Sequence, residues 1–360
     1  ESVFFMEDSK PAHYLSHLLG HEGEGSLLAL LKSRSWANGL SAGMGYSDEN
    51  QAMFDISISL SDKGAEHVDE IGRMLFAYIE LLRKEGVKRF YFEELKQLAE
   101  QDFRYQEKVD ESELARRLAT RLHRYPAEEV LSAPFLVETF KPERIKRILE
   151  QLQPSRLQLT ITDPQLQSTE KTRWYDVQYE VGDIDASWLR SWNDPGLENG
   201  LALPAPNPFI AQQLELLPAV DDAGLPQRLD TASGVQLWHQ TELDFGQPKA
   251  ELYFTLRADT ANTSPRHRLL TELYVIAVKE ALNTFSYPAY LAGLQYRMYP
   301  HSRGLSVRIS GYAEKQVQLL EKVIDEMLSL DIDEQRFERY LENLRQGLEN
   351  SLKGRPSART

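Results

Sequence analysis

A chain of 360 residues with 41% hydrophobic content can bury one large core or two smaller ones, so it is neither a disordered tail nor a disulfide-stapled miniprotein. Its 55 acidic and 41 basic side chains give a formal charge of -14, which disfavours nucleic acid as a partner. The lysines and arginines are scattered, without the glycine-aromatic pattern of a base-stacking module. With no cysteine there is no disulfide, thiol nucleophile or thiolate zinc site, which suits cytoplasm or periplasm equally.

Pro11 is placed for the first turn of a helix that ends at Gly20, and Ser26 opens a second through LLALLKSRSW, Leu27 to Trp36. Leu40–Met44 reads as a short strand. Met53–Leu60 is a clearer one, with Phe54, Ile56, Ile58 and Leu60 on one face and Asp55, Ser57 and Ser59 on the other. Ser61 caps a helix on which Val68, Ile71, Leu75, Tyr78 and Leu82 recur at helical spacing. Further helices are predicted over Phe90–Gln101, Glu111–His123 and Pro142–Gln151, and a strand over Arg156–Asp163 closes a first domain at residues 1–165.

Residues 166–227 change character. They are rich in Pro, Gly, Asn and Asp, yet Trp174, Tyr175, Trp188, Trp192 and Phe209 are many for a free linker. An extended, ordered connector is expected, with a disordered tether as the alternative. From 228 to 360 the first pattern returns: strands at Val235–His239 and Glu251–Asp259, a helix over Pro265–Asn283, a strand pair at Leu291–Pro300 and Gly304–Tyr312, then helices over Glu314–Leu328 and Asp333–Glu349. WANGLSAGMG followed by FDISISLSDKG is echoed by LAGLQYRMYP followed by SVRISGYAEKQ, and two helices come after each pair. The expected fold class is α+β, in two homologous units, each a mostly antiparallel sheet flanked by helices. The second unit stops early against the first, and the opening ESVFFMEDSK is abrupt ahead of the first helix, so a truncated piece is expected.

Histidine is the obvious metal ligand here, and His13, His17 and His21 stand four residues apart. Core or capping histidines are the plainer account of such spacing. His13-Tyr14-Leu15-Ser16-His17 sets Ser16 where a zinc peptidase needs a glutamate to deprotonate the metal-bound water, and a serine hydroxyl holds its proton too tightly for that work. Glu22 and Glu24 offer a third ligand in principle, so metal affinity stays open while catalysis is not expected. GEGS at Gly23–Ser26 is no nucleophile elbow, and Gly20, Gly23 and Gly25 lack the GK[ST] of a phosphate loop.

The stretch HYLSHLLGHEGEGSLLALLKSRSWANGLSAG, His13 to Gly43, closely resembles the second domain of the insulin-degrading-enzyme and pitrilysin family of zinc metallopeptidases. The likeness continues through YPAEEVL at Tyr125–Leu131, WYDVQY at Trp174–Tyr179, NPFI at Asn207–Ile210 and LWHQTELDF at Leu237–Phe245. It implies that the two units correspond to the second and third of four homologous domains. The zinc motif and its base then belong to a first domain with no counterpart here, so no catalytic residue, metal ligand or cofactor is expected in this chain, and zinc is implied for the full-length enzyme. The resemblance implies a peptide exosite: His21, Glu22, Gly23, Glu24 and Gly25 match its turn, and Leu40, Ser41, Ala42, Gly43 and Met44 its edge strand. An unpaired edge can add a peptide strand, and Glu22 or Glu24 can attract an α-ammonium; an ordinary loop and core edge is the alternative. Glu24 departs from the proline or small residue of the family pattern. The implied function is a non-catalytic middle fragment of a peptide-degrading endopeptidase that encloses and positions substrate. The alternative is a separate peptide-binding or scaffold subunit beside an active homologue. Expected partners are a peptide, the missing catalytic and C-terminal domains or an active homologous subunit, and a second copy in a homodimer as a further option, with no membrane insertion. A bacterial-type periplasmic location fits the resemblance.

Overall fold

The computed structural model describes residues 6, 8–165, 167–216, 225–232 and 234–353. The opening residues 1–5, parts of the connector at 166 and 217–224, and the last seven positions lie outside the described residues. The chain divides into two compact units, residues 1–206 and 207–360. That division falls inside the segment read as a connector.

Unit 1 begins with α1 (Pro11–Leu19) and α2 (Leu27–Ser33). Pro11 starts α1 without a missing bond, and Ser26 Oγ accepts the Ala29 N–H at 3.1 Å to start α2. β1 (Ala37–Ser47) and β2 (Ala52–Leu60) form an antiparallel two-stranded sheet in which Leu40 faces Ile58, Ala42 faces Ile56 and Met44 faces Phe54. These six apolar residues all lie in or against the hydrophobic core, while Ser41 and Asp55 turn to the other face. Strand β1 runs beyond Leu40–Met44 at both ends, with a register break between Met44 and Tyr46 that lets it bend.

Ser61 caps only the four-residue α3 (Asp62–Ala65); α4 (Val68–Glu85) is a separate helix. It buries Ile71, Met74, Phe76, Tyr78, Ile79 and Leu82 at the spacing the sequence shows. Next in the chain come α5 (Arg89–Arg104), α6 (Glu111–Arg121) and α7 (Pro142–Gln151). Arg156–Asp163 forms no strand. Leu157 and Leu159 do alternate inward and pack on the core, but no strand of the described residues lies beside them, so one-sided burial produced the alternation without a ladder.

Part of the connector belongs to unit 1. α8 (Ala186–Asn193) buries Trp192, whose indole N–H donates to the Asp69 carbonyl at 2.8 Å and whose ring packs on Phe76 and Trp188. Trp174 and Tyr175 are exposed. Glu198 accepts ion-paired hydrogen bonds from Arg34 and Arg73 with its side chain only 9% exposed, and Tyr91 donates to the Pro204 carbonyl at 2.6 Å.

In unit 2, β3 (Gln227–Leu229) and β4 (Leu237–His239) make a short exposed ladder. β5 (Lys249–Arg257), β6 (Gln295–His301) and β7 (Gly304–Tyr312) form an antiparallel sheet in the order β5-β7-β6. Val307, Ile309 and Met298 from this sheet are buried, as are Leu273, Val278 and Leu282 from α9 (Pro265–Leu291) and Leu319 and Val323 from α10 (Ala313–Ser329); α11 (Glu334–Lys353) closes the unit. Helix α9 outruns its predicted end at Asn283 and contains Pro288. Buried Leu282 and Ala289 hold the last turns to the core on either side of it, and the Ala292 N–H closes on the Pro288 carbonyl at 3.1 Å.

Candidate peptide-binding site

The loop between α1 and α2 is a built structure. His21 is buried, and its Nδ1 accepts the Gly23 N–H at 3.0 Å. A Cβ on Gly23 would stand 2.5 Å from that imidazole, so only glycine lets the turn lie on the ring. The Gly23 carbonyl accepts the Ser26 N–H at 3.1 Å, joining the turn to the helix cap. Gly25 sits at φ 78, with its carbonyl accepting the Ala202 N–H at 2.8 Å. The turn is thus clamped between His21 and a segment far along the chain.

Its carboxylates differ. Glu22 is within 3.4 Å of the Lys32 ammonium, whereas Glu24 is exposed and forms no ion pair among the described residues. At the end of α1, a Cβ on Gly20 would approach the Ala42 amide nitrogen at 3.5 Å, so the turn departs from beside the middle of β1. The structure therefore brings the start of the turn to the strand, while Gly25 faces Ala202 instead. β1 pairs with β2 along one edge, and no strand of the described residues pairs with its other edge. Leu40 is buried, Ser41 exposed, and Ala42, Gly43 and Met44 half-buried, an edge with little side-chain bulk over its backbone. Sequence reasoning missed Ala202 and the Arg34–Glu198–Arg73 cluster. The connector's aromatic residues, Trp188, Trp192 and Phe209 among them, were the signal that this stretch packs.

A zinc ion does not fit these residues. His17 and His21 meet edge to ring at 5.8 Å, and His21 already spends Nδ1 on the turn. Burial lowers the pKa of His17 to about 4, and burial together with the neighbouring His17 lowers that of His21 to about 4. Among the described residues, no three His, Asp or Glu side chains are grouped to hold a metal ion. Nor is any helix among them long and apolar enough to cross a membrane.

The chain thus combines helix-flanked antiparallel sheets, a free edge on β1 and, among the described residues, no side-chain cluster grouped to hold a metal ion. Residues 6–99 match the family model described as the peptidase M16 inactive domain, and residues 103–359 match that of the middle or third domain of peptidase M16. The chain belongs to the M16 peptidase family and is an inactive and middle portion of its fold. Insulin-degrading enzyme of Homo sapiens is 36% identical over 345 residues, covering 95% of this chain and 34% of that protein. That of Drosophila melanogaster is 35% identical over 350 residues, covering 95% of this chain and 35% of the relative. The crystal structure of pitrilysin shares the fold at TM-score 0.84 and 24% identity, over 99% of this chain and 38% of that one. The chain thus spans about a third of the length of these relatives.

Proposed function

We propose that this chain encloses and positions a peptide for a zinc-dependent endopeptidase and takes no part in the chemical step. The observation that carries the reading is the edge of β1, open among the described residues and with small residues at Ser41–Gly43, together with a turn that presents Glu24, which forms no ion pair among them. An incoming extended segment satisfies the outward amides and carbonyls of β1 as a further strand, and Glu24 attracts its α-ammonium. Glu22 is half committed to Lys32 and contributes less. His21 acts as a positioning residue, because its Nδ1 fixes the Gly23 backbone and so the turn from which Glu24 projects. In the complete enzyme zinc would polarise water and the scissile carbonyl; the residues that hold it belong to other domains of the longer protein.

The test is binding of a fluorescent peptide with a free or an acetylated N-terminus. The free amine should bind the purified chain several-fold more tightly, and Glu24→Gln should abolish that preference while leaving residual strand-addition affinity. Equal affinity for both peptides in the unaltered chain would contradict the assignment of Glu24.

A further inference from the structure

The sheet of unit 2 has a free edge of its own. β6 pairs with β7 on one side, and no strand of the described residues pairs with the other. Pro300 stands within β6, which an edge strand tolerates and a central strand does not. Against this edge lies an open cavity of about 430 Å³, lined by Lys279 and Asn283 from α9 and by Tyr296, Arg297, Met298 and Tyr299 from β6.

The charges at this corner run against the acidic character of the chain. Arg297 lies directly across the ladder from Arg308, an arrangement of like charges that destabilises a sheet unless an anion answers it. The nearby Glu251 is taken in bidentate fashion by Arg308, at 2.6 and 2.7 Å, so Arg297 feels a carboxylate already engaged. Lys279 forms no ion pair among the described residues, and the adjacent Glu280 is held by Arg339 at 2.5 Å. Guarding an edge against stray pairing would need no more than Arg297 and Pro300. A second cation, Lys279, on the helix that covers the opposite face of β6, with Asn283 beside it at the cavity, goes beyond that.

The geometry points to a second peptide site: the free edge of β6 adds an extended segment, and Arg297 on the outer face of the sheet and Lys279 on the helix-covered face flank that segment and receive its acidic side chains. Alternating outward N–H and C=O groups match a peptide backbone, and the two cations select the sign of its charge. The inference deepens the peptide-positioning reading and rests on it. It adds a preference of opposite charge at a place on the other unit.

The experiment uses the full 360-residue chain and a short extended peptide with a central glutamate and a photo-crosslinking residue beside it. Two comparison peptides carry glutamine in place of the glutamate or N-methyl groups on alternate amides. Crosslinks mapped by mass spectrometry should fall on Tyr296–Pro300. Lys279→Gln combined with Arg297→Gln, both exposed positions, should weaken the glutamate peptide about tenfold, leave the glutamine peptide unchanged and leave the circular dichroism spectrum intact. N-methylation should remove binding at β6. Three results would overturn the proposal: crosslinks confined to Leu40–Met44, which would leave the β1 reading standing; equal loss for both peptides in the double variant; or binding indifferent to N-methylation. Crosslinks on β6 with none on β1 would uphold this site and count against the other.

Discussion

Acidification should loosen the turn through its buried histidine. His21 is 5% exposed and its pKa is lowered from 6.5 to about 4 by burial and then by His17. Because the unfolded chain binds this proton more tightly, neutral His21 stabilises the fold. That contribution is complete above the unfolded pKa of 6.5 and is lost as pH falls through 4. Between pH 7 and pH 5 linkage withdraws about 2 kcal/mol from His21 alone, and His17, partly exposed, adds up to a similar amount. The informative variant is His21→Asn. An asparagine side-chain oxygen can accept the N–H two residues on, as His21 Nδ1 does from Gly23, so the turn keeps its bond and loses its titration. Urea denaturation at pH 7 and pH 5 should show the unaltered chain losing about 2 kcal/mol more than the variant. Equal losses, or an NMR titration midpoint for His21 above pH 6, would refute the reasoning.

Gly25→Ala should cost about 1–3 kcal/mol in urea denaturation, since φ is 78 and the new Cβ would meet the Ala202 Cβ at 2.8 Å. Adding Ala202→Gly should recover the part due to the meeting of the two Cβ atoms, but not the part due to φ or to the close Ala202 backbone. Glu198→Gln should destabilise unit 1 by about 2 kcal/mol, less than a fully buried charge would, because Arg34 and Arg73 are 34% and 28% exposed. Limited proteolysis should then cut the segment between Pro195 and Ala202 sooner than in the unaltered chain. Trp192→Ala should cost about 3–5 kcal/mol by opening a cavity between α4 and α8 and removing the indole bond to the Asp69 carbonyl, read as a fall in Tm.

Elements with a local signal were legible in the sequence. Helix α7 runs Pro142–Gln151 and strand β7 Gly304–Tyr312, as expected, because Pro at a helix start and strict alternation in a buried strand are written within the segments themselves. What depends on a distant partner was not legible. Leu157 and Leu159 alternate as in a strand and find no strand beside them. Val235 reads like Leu237, yet the ladder begins at Leu237, opposite Leu229. The turn at His21–Gly25 was visible through its glycines and its likeness to a known pattern, but the clamp on it comes from Ala202, which no periodicity links to Gly25. Buried Trp192 shows the same limit: its aromatic character signalled packing, and only the fold names Asp69 and Phe76 as what it packs on.

The most direct test of the central claim is zinc content, measured alongside cleavage of an internally quenched peptide library, for this chain and for the longer protein that contains it. A positioning role predicts that the longer protein holds zinc and cleaves in a chelator-sensitive way, while the 360-residue chain binds peptides without stoichiometric zinc or turnover. Stoichiometric zinc with chelator-sensitive cleavage by the chain alone would contradict it and return attention to His13, His17, His21 and Glu22.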